Sequence, residues 1–337
     1  MRLRKPILCC LARRIVPLLA AALLAGCGGP HLQSPLDPAG PEAQEIARLW
    51  WVLFWICTVV FVVTMALALW AVRKGGTAAP QQVGPLSGNG FVIVSGIIIP
   101  TIILVGILVY SLRATLAIMP GPATMTIEVT GHQWWWEVRY PELGIITANE
   151  LHLPVGQAVR LKLRSGDVVH SFWVPNLHGK MDMFPEHDTE LTLRADRPGT
   201  FRGQCAEFCG PQHTWMTVRV LALPEEEFQQ WVAARQSAPP AEADQSLLAR
   251  GRQSFLNHGC AACHAIRGTA AEARLAPDLT HLASRQTLGA GILENNRENL
   301  RAWILRPHEI KPGNLMPPTI LPEAELEALL TYLESLQ

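Results

Sequence analysis

One short stretch of the sequence concentrates side chains that bind soft metal ions. The stretch Q-C-A-E-F-C-G-P-Q-H-T-W-M runs from Gln204 to Met216 and holds two cysteines, a glutamate, a histidine and a methionine. Thiolates and thioethers are soft donors and imidazole is intermediate, so this set favours copper. Two thiolates four residues apart could bridge two copper ions, each completed by one histidine and one weak donor. A second histidine must then come from elsewhere in the chain.

The histidine of another stretch, D-V-V-H-S-F-W-V-P, is the best candidate for that ligand. This residue is His170, and we expect it to end a different strand. Structural zinc is the main alternative metal, because two cysteines and two histidines form a legitimate tetrahedral set. Zinc leaves Met216 and the spacing C-x3-C-x3-H-x2-M unexplained, so copper is favoured. Four other histidines lack a companion cysteine and are expected to be surface or hydrogen-bonding residues: His132, His152, His178 and His187.

A second cysteine pair lies in G-C-A-A-C-H, residues 259–264, which has the C-x-x-C-H pattern of covalent c-type haem attachment. Cys260 and Cys263 would bond the haem vinyl groups, and His264 would lie under the iron. Met316, in G-N-L-M-P-P, is the only methionine after residue 246 and the candidate sixth ligand, since a thioether favours reduced iron. A thioredoxin-like redox motif is the alternative, but the βαβ pattern it requires is missing. Three histidines could replace Met316 but lack the M-P-P setting: His258, His281 and His308.

The start of the chain predicts export from the cytoplasm. A basic segment, a short apolar run and small residues predict a signal peptide over residues 1–26. The stretch L-L-A-G-C, ending at Cys27, resembles the bacterial lipobox, which implies lipidation of Cys27. An ordinary signal-peptide cysteine is the alternative. Disulfides are permitted outside the cytoplasm, but close cysteine pairs beside histidines fit ligands and haem attachment better.

Two apolar stretches, residues 49–72 and 91–112, each approach the length of about 20 residues that a membrane-spanning helix needs. The loop between them, residues 73–90, carries Arg73 and Lys74 and no acidic residue, which predicts a cytoplasmic location. Residues 27–48 and everything after the second span would then lie outside. The 28 basic and 28 acidic residues balance, so the overall charge gives no reason to expect a nucleic-acid partner.

The remaining sequence divides into a region of strands and a region of helices. Over residues 120–235, segments such as A-V-R-L-K-L-R and T-E-L-T-L-R alternate polar and apolar residues, which predicts a β-sandwich or barrel. The stretch S-A-P-P-A-E-A-D-Q-S falls within a predicted linker, residues 236–246. Residues 247–337 then follow a helical period, as in E-A-E-L-E-A-L-L-T-Y-L-E-S-L.

The stretch around His170 and the stretch from Gln204 to Met216 together resemble the binuclear copper A site of cytochrome c oxidase subunit II. The helical hairpin and cupredoxin-like β-domain of that family resemble residues 42–235. This resemblance implies that Cys205 and Cys209 bridge two copper ions. It implies that His170, His213 and Met216 are terminal ligands. Two further roles follow from it: Glu207 would bind copper through its carbonyl and help hold magnesium or manganese at the subunit I interface, and electrons would enter near Trp134, the first tryptophan of G-H-Q-W-W-W.

The last part of the chain, from about Gln245, resembles class I cytochromes c. The expected fold is therefore a multidomain membrane protein with a two-helix transmembrane hairpin, a cupredoxin-like all-β Greek-key domain and a small all-α cytochrome c domain. The resemblances imply subunit II of a bacterial haem–copper oxidase, with the copper and haem domains on the periplasmic face of the inner membrane. Electrons from haem c would cross the copper pair to subunit I, where oxygen is reduced with proton pumping.

The implied partners are subunits I and III and an external donor, either a cytochrome c or the bc complex. Neither apolar stretch contains histidine, so the oxygen-reducing centre must belong to subunit I. The family often has a carboxylate shortly before the proline of the second span, but F-V-I-V-S-G-I-I-I-P, ending at Pro100, has none. The proton route through this subunit is therefore in doubt.

Three other functions remain as alternatives. A quinol oxidase subunit would have lost the copper ligands, and a nitrous-oxide-reducing enzyme would need a further histidine-rich domain. A free-standing electron-transfer protein is the alternative that is hardest to exclude from the sequence. A flexible linker of about ten residues holds its partner at an effective concentration on the order of millimolar, so we expect haem c to be the immediate donor to copper.

Overall fold

The computed structural model describes residues 33–74, 88–237 and 247–337. The predicted signal peptide and Cys27 lie outside the described residues, as do most of the predicted cytoplasmic loop and of the linker.

Two long helical rods carry the apolar stretches. The first is α1, Pro41–Lys74; the second consists of α2, Gly88–Ile93, a π-helical segment, Val94–Ile98, and α3, Ile99–Ala117. Both rods are long and apolar enough to cross a membrane, and their large apolar side chains are exposed. Residues 49–72 and 91–112 lie inside them, as predicted. Pro100 has no backbone N–H and cannot donate the next hydrogen bond of an α-helix, which accounts for the π-helical segment before it.

The middle of the chain forms a sandwich of two five-stranded sheets, called the β-domain below. One sheet has the order β3-β2-β1-β5-β8 and the other the order β4-β10-β9-β6-β7. Strands β1 and β5 are parallel, as are β4 and β10, and the other neighbours are antiparallel. The strands are β1 Met125–His132, β2 Trp135–Tyr140, β3 Ile145–Ala148, β4 Glu150–Pro154, β5 Val159–Ser165, β6 His170–Trp173, β7 Met181–Met183, β8 Thr189–Leu193, β9 Gly199–Cys205 and β10 Thr217–Leu223.

Alternating side chains explain why these segments pair as a sandwich. In β5, Val159, Leu161 and Leu163 are fully buried, while the residues between them face outward. Period-two alternation places one face of such a strand in the core. The two segments quoted for their alternation form β5 and β8, and the two packed sheets confirm the predicted cupredoxin-like architecture.

Two local features of the β-domain differ from expectation. His170 begins β6 instead of ending a strand, because the polar turn before it extends to Val169. A helix, α4 Glu225–Gln236, follows β10 and buries Phe228, Trp231 and Val232 against the sandwich. Its first turn is acidic, which suits the positive end of the helix dipole.

The C-terminal region, called the helical domain below, packs four helices around its own core. Helices α5 and α8 cross closely at Gly251, where a Cβ would lie 2.1 Å from the carbonyl oxygen of Ala328. A two-residue strand pair, β11 Thr287–Leu288 with β12 Leu293–Glu294, is added to the expected all-helical fold. The helices are α5 Leu247–Asn257, α6 Arg297–Leu305, α7 Pro307–Ile310 and α8 Glu323–Ser335.

Candidate metal and haem sites

The two cysteines of the metal loop lie side by side but do not form a disulfide. Cys205 ends β9, Cys209 lies in the loop after it, and their Sγ atoms are 3.8 Å apart. A disulfide requires about 2.0 Å between the sulfurs. Both residues are free thiols and almost fully buried. Two buried sulfurs at this separation could both contact the same pair of metal ions.

Each thiol has one imidazole and one weak donor beside it. Cys205 Sγ lies 3.8 Å from His170 Nδ1 and 3.2 Å from the carbonyl oxygen of Glu207. Cys209 Sγ lies 3.8 Å from His213 Nδ1 and 3.9 Å from Met216 Sδ. The structure thus brings together all six predicted copper ligands: His170, Cys205, Glu207, Cys209, His213 and Met216.

This arrangement fits a pair of copper ions better than one zinc ion. A structural zinc site uses four tetrahedral ligands, which would leave the thioether and the carbonyl without a role. Six donors in two sets, each with one imidazole and one weak donor around a shared thiol pair, suit two soft metal ions. His170 and Met216 are fully buried, so the site excludes water on those sides.

Strand pairing positions the histidine that is remote in sequence. Strand β6 pairs antiparallel with β9, and Phe172 lies opposite Cys205. His170 is two residues from Phe172 on the same face of the strand, so its ring reaches the thiol. A backbone hydrogen bond from the N–H of Cys205 to the carbonyl of Met216, 2.9 Å long, fixes the other side of the loop.

Asp167 orients the His170 ring. Its Oδ1 lies 2.7 Å from His170 Nε2, which leaves Nδ1 directed at Cys205. Burial lowers the pKa of His170, but the hydrogen bonds to Asp167 and Cys205 outweigh this and raise it. Burial raises the pKa of Asp167, and its hydrogen bonds to His170 and to the backbone N–H of Gln133 and Val168 lower it overall. The hydrogen bonds between Cys205 and the side chains of Cys209 and His170 outweigh the effect of burial and lower the pKa of Cys205.

Asp167→Asn is expected to weaken copper binding about 10-fold or more, within the roughly 10–100-fold range typical of residues that orient metal ligands. The amide keeps the shape of the carboxylate but loses the charge that favours a proton on Nε2. Competition with a copper chelator measures the affinity. Asp188→Asn is the matched control, because Asp188 pairs with Arg164 on the surface. Equal affinities in the two variants would contradict this role.

The haem-attachment motif begins as a single tight turn. Residues Cys260–Ala262 form a 3-10 turn, and both cysteines are free thiols. His264 Nδ1 lies 2.7 Å from the carbonyl oxygen of Pro277, which leaves Nε2 available to an iron atom. Burial lowers the pKa of His264, which favours the neutral imidazole that binds metal.

Met316 packs at the edge of the helical-domain core, and its N–H donates to Asn314 Oδ1 at 2.8 Å. Two of the alternative ligands are engaged elsewhere. His258 lies 3.2 Å from a carboxylate oxygen of Glu325, and His281 lies 2.7 Å from the carbonyl of Gln337. The residues present therefore fit a c-type haem with histidine and methionine ligands.

Trp134 contacts the metal loop directly. Its indole N–H donates to the carbonyl oxygen of Cys209 at 3.0 Å, and the side-chain amide of Gln133 donates to the same oxygen at 2.7 Å. Trp135 and Trp136 belong to β2 and are buried, as predicted for packing residues.

Sequence reasoning missed three residues at the site. Gln133 and Asp167 lie next to predicted residues, and the spacing D-x-x-H was the available signal for Asp167. Lys311 of the helical domain binds backbone carbonyls of the β-domain. No sequence signal distinguishes it from a surface lysine.

Comparison with known proteins identifies both domains. A family model described as cytochrome c oxidase subunit II, periplasmic domain, matches residues 145–223, and a cytochrome c model matches residues 248–337. Cytochrome c oxidase subunit 2 of Alkalihalophilus pseudofirmus is 38% identical over 340 residues, which cover 97% of each chain. This chain belongs to the cytochrome c oxidase subunit II family.

Two further relatives extend the comparison. Cytochrome c oxidase subunit 2 of Bacillus subtilis is 33% identical over 353 residues, covering 96% of this chain and 98% of its own. The crystal structure of the periplasmic domain of subunit II of cytochrome oxidase from Bradyrhizobium japonicum is 30% identical and covers 35% of this chain and 97% of that one, with a TM-score of 0.34.

Membership of the subunit II family confirms the expected oxidoreductase class. The chain is a subunit of a haem–copper oxidase complex, carries a cytochrome c domain and has a role in electron transfer. Copper A and haem c are the cofactors that these two domains imply.

Proposed function

We propose that this chain is the subunit at which electrons enter a haem–copper oxidase, and that its own haem c domain is the immediate donor to a binuclear copper centre. The observation that carries the proposal is the pair of thiols 3.8 Å apart, each with its own imidazole and weak donor. Two copper ions held this way supply a one-electron carrier that needs little rearrangement on changing charge.

The ligand roles follow from the two sets of contacts. Cys205 and Cys209 would be shared by the two coppers, and His170 and His213 would each hold one of them. Met216 and the carbonyl of Glu207 would supply the two weak donors. Because β6, β9 and the loop are tied by backbone hydrogen bonds, the ligands are held in place before the metals bind.

The haem roles use residues of the helical domain alone. Cys260 and Cys263 would hold the haem through thioether bonds, and His264 and Met316 would supply ligands to its iron. The carbonyl of Pro277 holds the His264 ring in one orientation and one tautomer.

Contacts between the two domains support direct transfer from haem to copper. Arg219 Nη1 donates to Gln286 at 3.2 Å, and Arg267 donates to the carbonyl of Arg235 at 2.8 Å. Lys311 of the helical domain also donates to the carbonyls of Trp134 and Trp215, so the helical domain docks on the β-domain beside the metal loop. Trp134 lies in this contact region, where electrons from the haem would pass near its ring.

The membrane and the partner subunits complete the proposal. The two rods span the bacterial inner membrane as a hairpin, with both cofactor domains on the periplasmic side and lipid attached at Cys27. Subunit I receives the electron and reduces oxygen with proton pumping, and subunit III completes the complex. The carboxylate of Glu207 is partly exposed, and it would exchange its 3.5 Å contact with Lys180 for a magnesium or manganese ion held against subunit I. A cytochrome c or the bc complex supplies electrons to the haem domain.

Flash reduction of the haem in the intact oxidase tests this proposal. We expect the haem to reoxidise in a first-order phase that matches copper reduction and does not change with protein concentration, because donor and acceptor share one chain. The copper bands in the near infrared and the haem bands in the visible follow the two centres separately.

One variant provides the control for this experiment. Cys209→Ser removes the acceptor, so its haem should stay reduced after the flash. A transfer rate proportional to protein concentration, or copper reduction before haem reduction, would show that the fused domain is not the donor. Purification from native membranes without a polytopic haem-containing subunit would instead favour a free-standing electron-transfer protein.

A further inference from the structure

A buried lysine joins the two domains beside the metal loop. Lys311 of the helical domain is 3% exposed. Its Nζ donates to the backbone carbonyls of Trp134 at 3.0 Å, Trp215 at 2.9 Å and Gly289 at 3.1 Å. The three acceptors match the three protons of an ammonium group, which a buried charge requires. Two of these carbonyls belong to the β-domain and one to the helical domain.

On the β-domain side, Lys311 binds the backbone of two residues that touch the metal loop. The Trp134 indole donates to the carbonyl of Cys209. Trp215 directly precedes Met216, whose Sδ lies 3.9 Å from the Sγ of Cys209. Lys311 therefore contacts the outer side of the loop that holds the thiol pair.

On the helical-domain side, Lys311 begins the segment that ends in the haem ligand. The carbonyl of Lys311 accepts a hydrogen bond from Asn314 Nδ2 at 2.7 Å. The Oδ1 of the same side chain accepts the N–H of Met316 at 2.8 Å. Two hydrogen bonds thus connect Lys311 to the backbone of the residue proposed to bind the iron.

Close packing and other hydrogen bonds hold the same two surfaces together. Gly291 of the helical domain lies so close to the β-domain that a Cβ there would be 1.9 Å from Thr217 Oγ1. Loss of Lys311 alone should therefore loosen the docked arrangement without separating the domains. The supporting hydrogen bonds run from Gln212 to the carbonyl of Pro312, from Thr217 to the carbonyl of Ala290, and from the N–H groups of Gln286 and Thr287 to Glu150.

We propose that Lys311 is a positioning residue for electron transfer, setting how closely the Met316 segment docks against the Cys209 loop. This inference rests on the proposed function, because the docking distance matters to the rate only if electrons cross between these sites. Electron tunnelling slows exponentially with distance, so a looser docked arrangement would lengthen the path between the two sites and lower the transfer rate. An apolar side chain would fill the same space but leave three buried carbonyls without their donor.

Lys311→Met in the full-length chain of the intact oxidase tests the role. Flash reduction should show haem-to-copper transfer slowed several-fold, with a rate that now falls as solvent viscosity rises. The viscosity dependence is expected because the loosened domain must find its docked position before the electron crosses. The haem potential and the copper paramagnetic resonance signal should match the wild type, which shows that both centres are intact.

Arg306→Gln is the matched control, because it removes one positive charge from an exposed pair with Glu309 in the same domain. Its transfer rate should equal that of the wild type. Lys311→Gln keeps two donor protons and should give an intermediate rate; it decides the question if Lys311→Met does not assemble.

The outcomes separate this inference from the function on which it rests. The positioning role alone is overturned if transfer in the wild type is independent of concentration and the Lys311 variants show the same rate with no viscosity dependence. Absence of that transfer phase in the wild type contradicts the proposed function itself.

Discussion

Cys209→Ser is expected to abolish the paramagnetic resonance signal of an electron shared between two copper ions. The hydroxyl is a harder and weaker ligand than a thiolate, so one bridge is lost. The Cys209 thiol also lies beside His213 and Met216. Without it, these two donors would have no neighbouring thiolate with which to hold a copper ion. Metal analysis should show copper falling from two ions per chain to one or none.

The haem should be unaffected by this substitution, because its candidate ligands belong to the helical domain. The visible spectrum of the haem therefore reports correct assembly of the variant. Cys57→Ser is the matched control, since Cys57 is exposed on α1 and should leave both centres unchanged. A preserved shared-electron signal in Cys209→Ser would contradict the binuclear assignment.

Met316→Ala is expected to keep the haem attached but lower its reduction potential by on the order of 0.1–0.3 V, since axial ligands tune haem potentials over a range of about 0.8 V. On the proposed assignment, thioether bonds to Cys260 and Cys263 would retain the haem. Loss of the sulfur ligand removes the preference for reduced iron. Redox titration and the sulfur-to-iron absorption band measure the two effects.

Leu315→Ala provides the control for that variant, because Leu315 is the neighbouring residue and its side chain is 78% exposed. Its potential should match the wild type. An unchanged potential together with an unchanged sulfur-to-iron band in Met316→Ala would exclude Met316 as the ligand.

The motifs could be found in the sequence because their residues are neighbours in the chain. One short stretch holds Cys205, Cys209, His213 and Met216, and the haem-attachment motif spans only residues 259–264. Local spacing nearly determines local distance in such short segments. The membrane helices were predictable for a related reason, since an apolar run of sufficient length has few other stable environments.

Residue spacing alone does not place the ligand from the other strand. His170 precedes Cys205 by 35 residues, and only the pairing of β6 with β9 brings its ring to the thiol. A shift of one residue in that register would turn His170 to the opposite face of the sheet. The sequence offered a candidate, and the sheet register decided its position.

The domain contacts could not be predicted at all. Lys311 looks like a surface residue in the sequence, because lysine is rarely buried without a partner. Its partners are backbone carbonyls, which every residue possesses. The residue types therefore do not show which carbonyls will accept its hydrogen bonds. Helix α4 was missed because its short apolar stripe, Phe228, Trp231 and Val232, lies in a largely polar segment.

The sequence by itself determined the chemistry of this protein: the soft donor set, the haem motif, the two apolar rods and the alternating strands. Each depends on residue types at short spacing, where covalent geometry limits the possible arrangements. The tertiary structure alone decided which atoms meet across the fold: Nδ1 of His170 with Cys205, Asp167 behind that ring, and Lys311 between the two domains. These contacts depend on sheet register and on domain docking, which many residues set together through small contributions, so no single stretch of sequence records them.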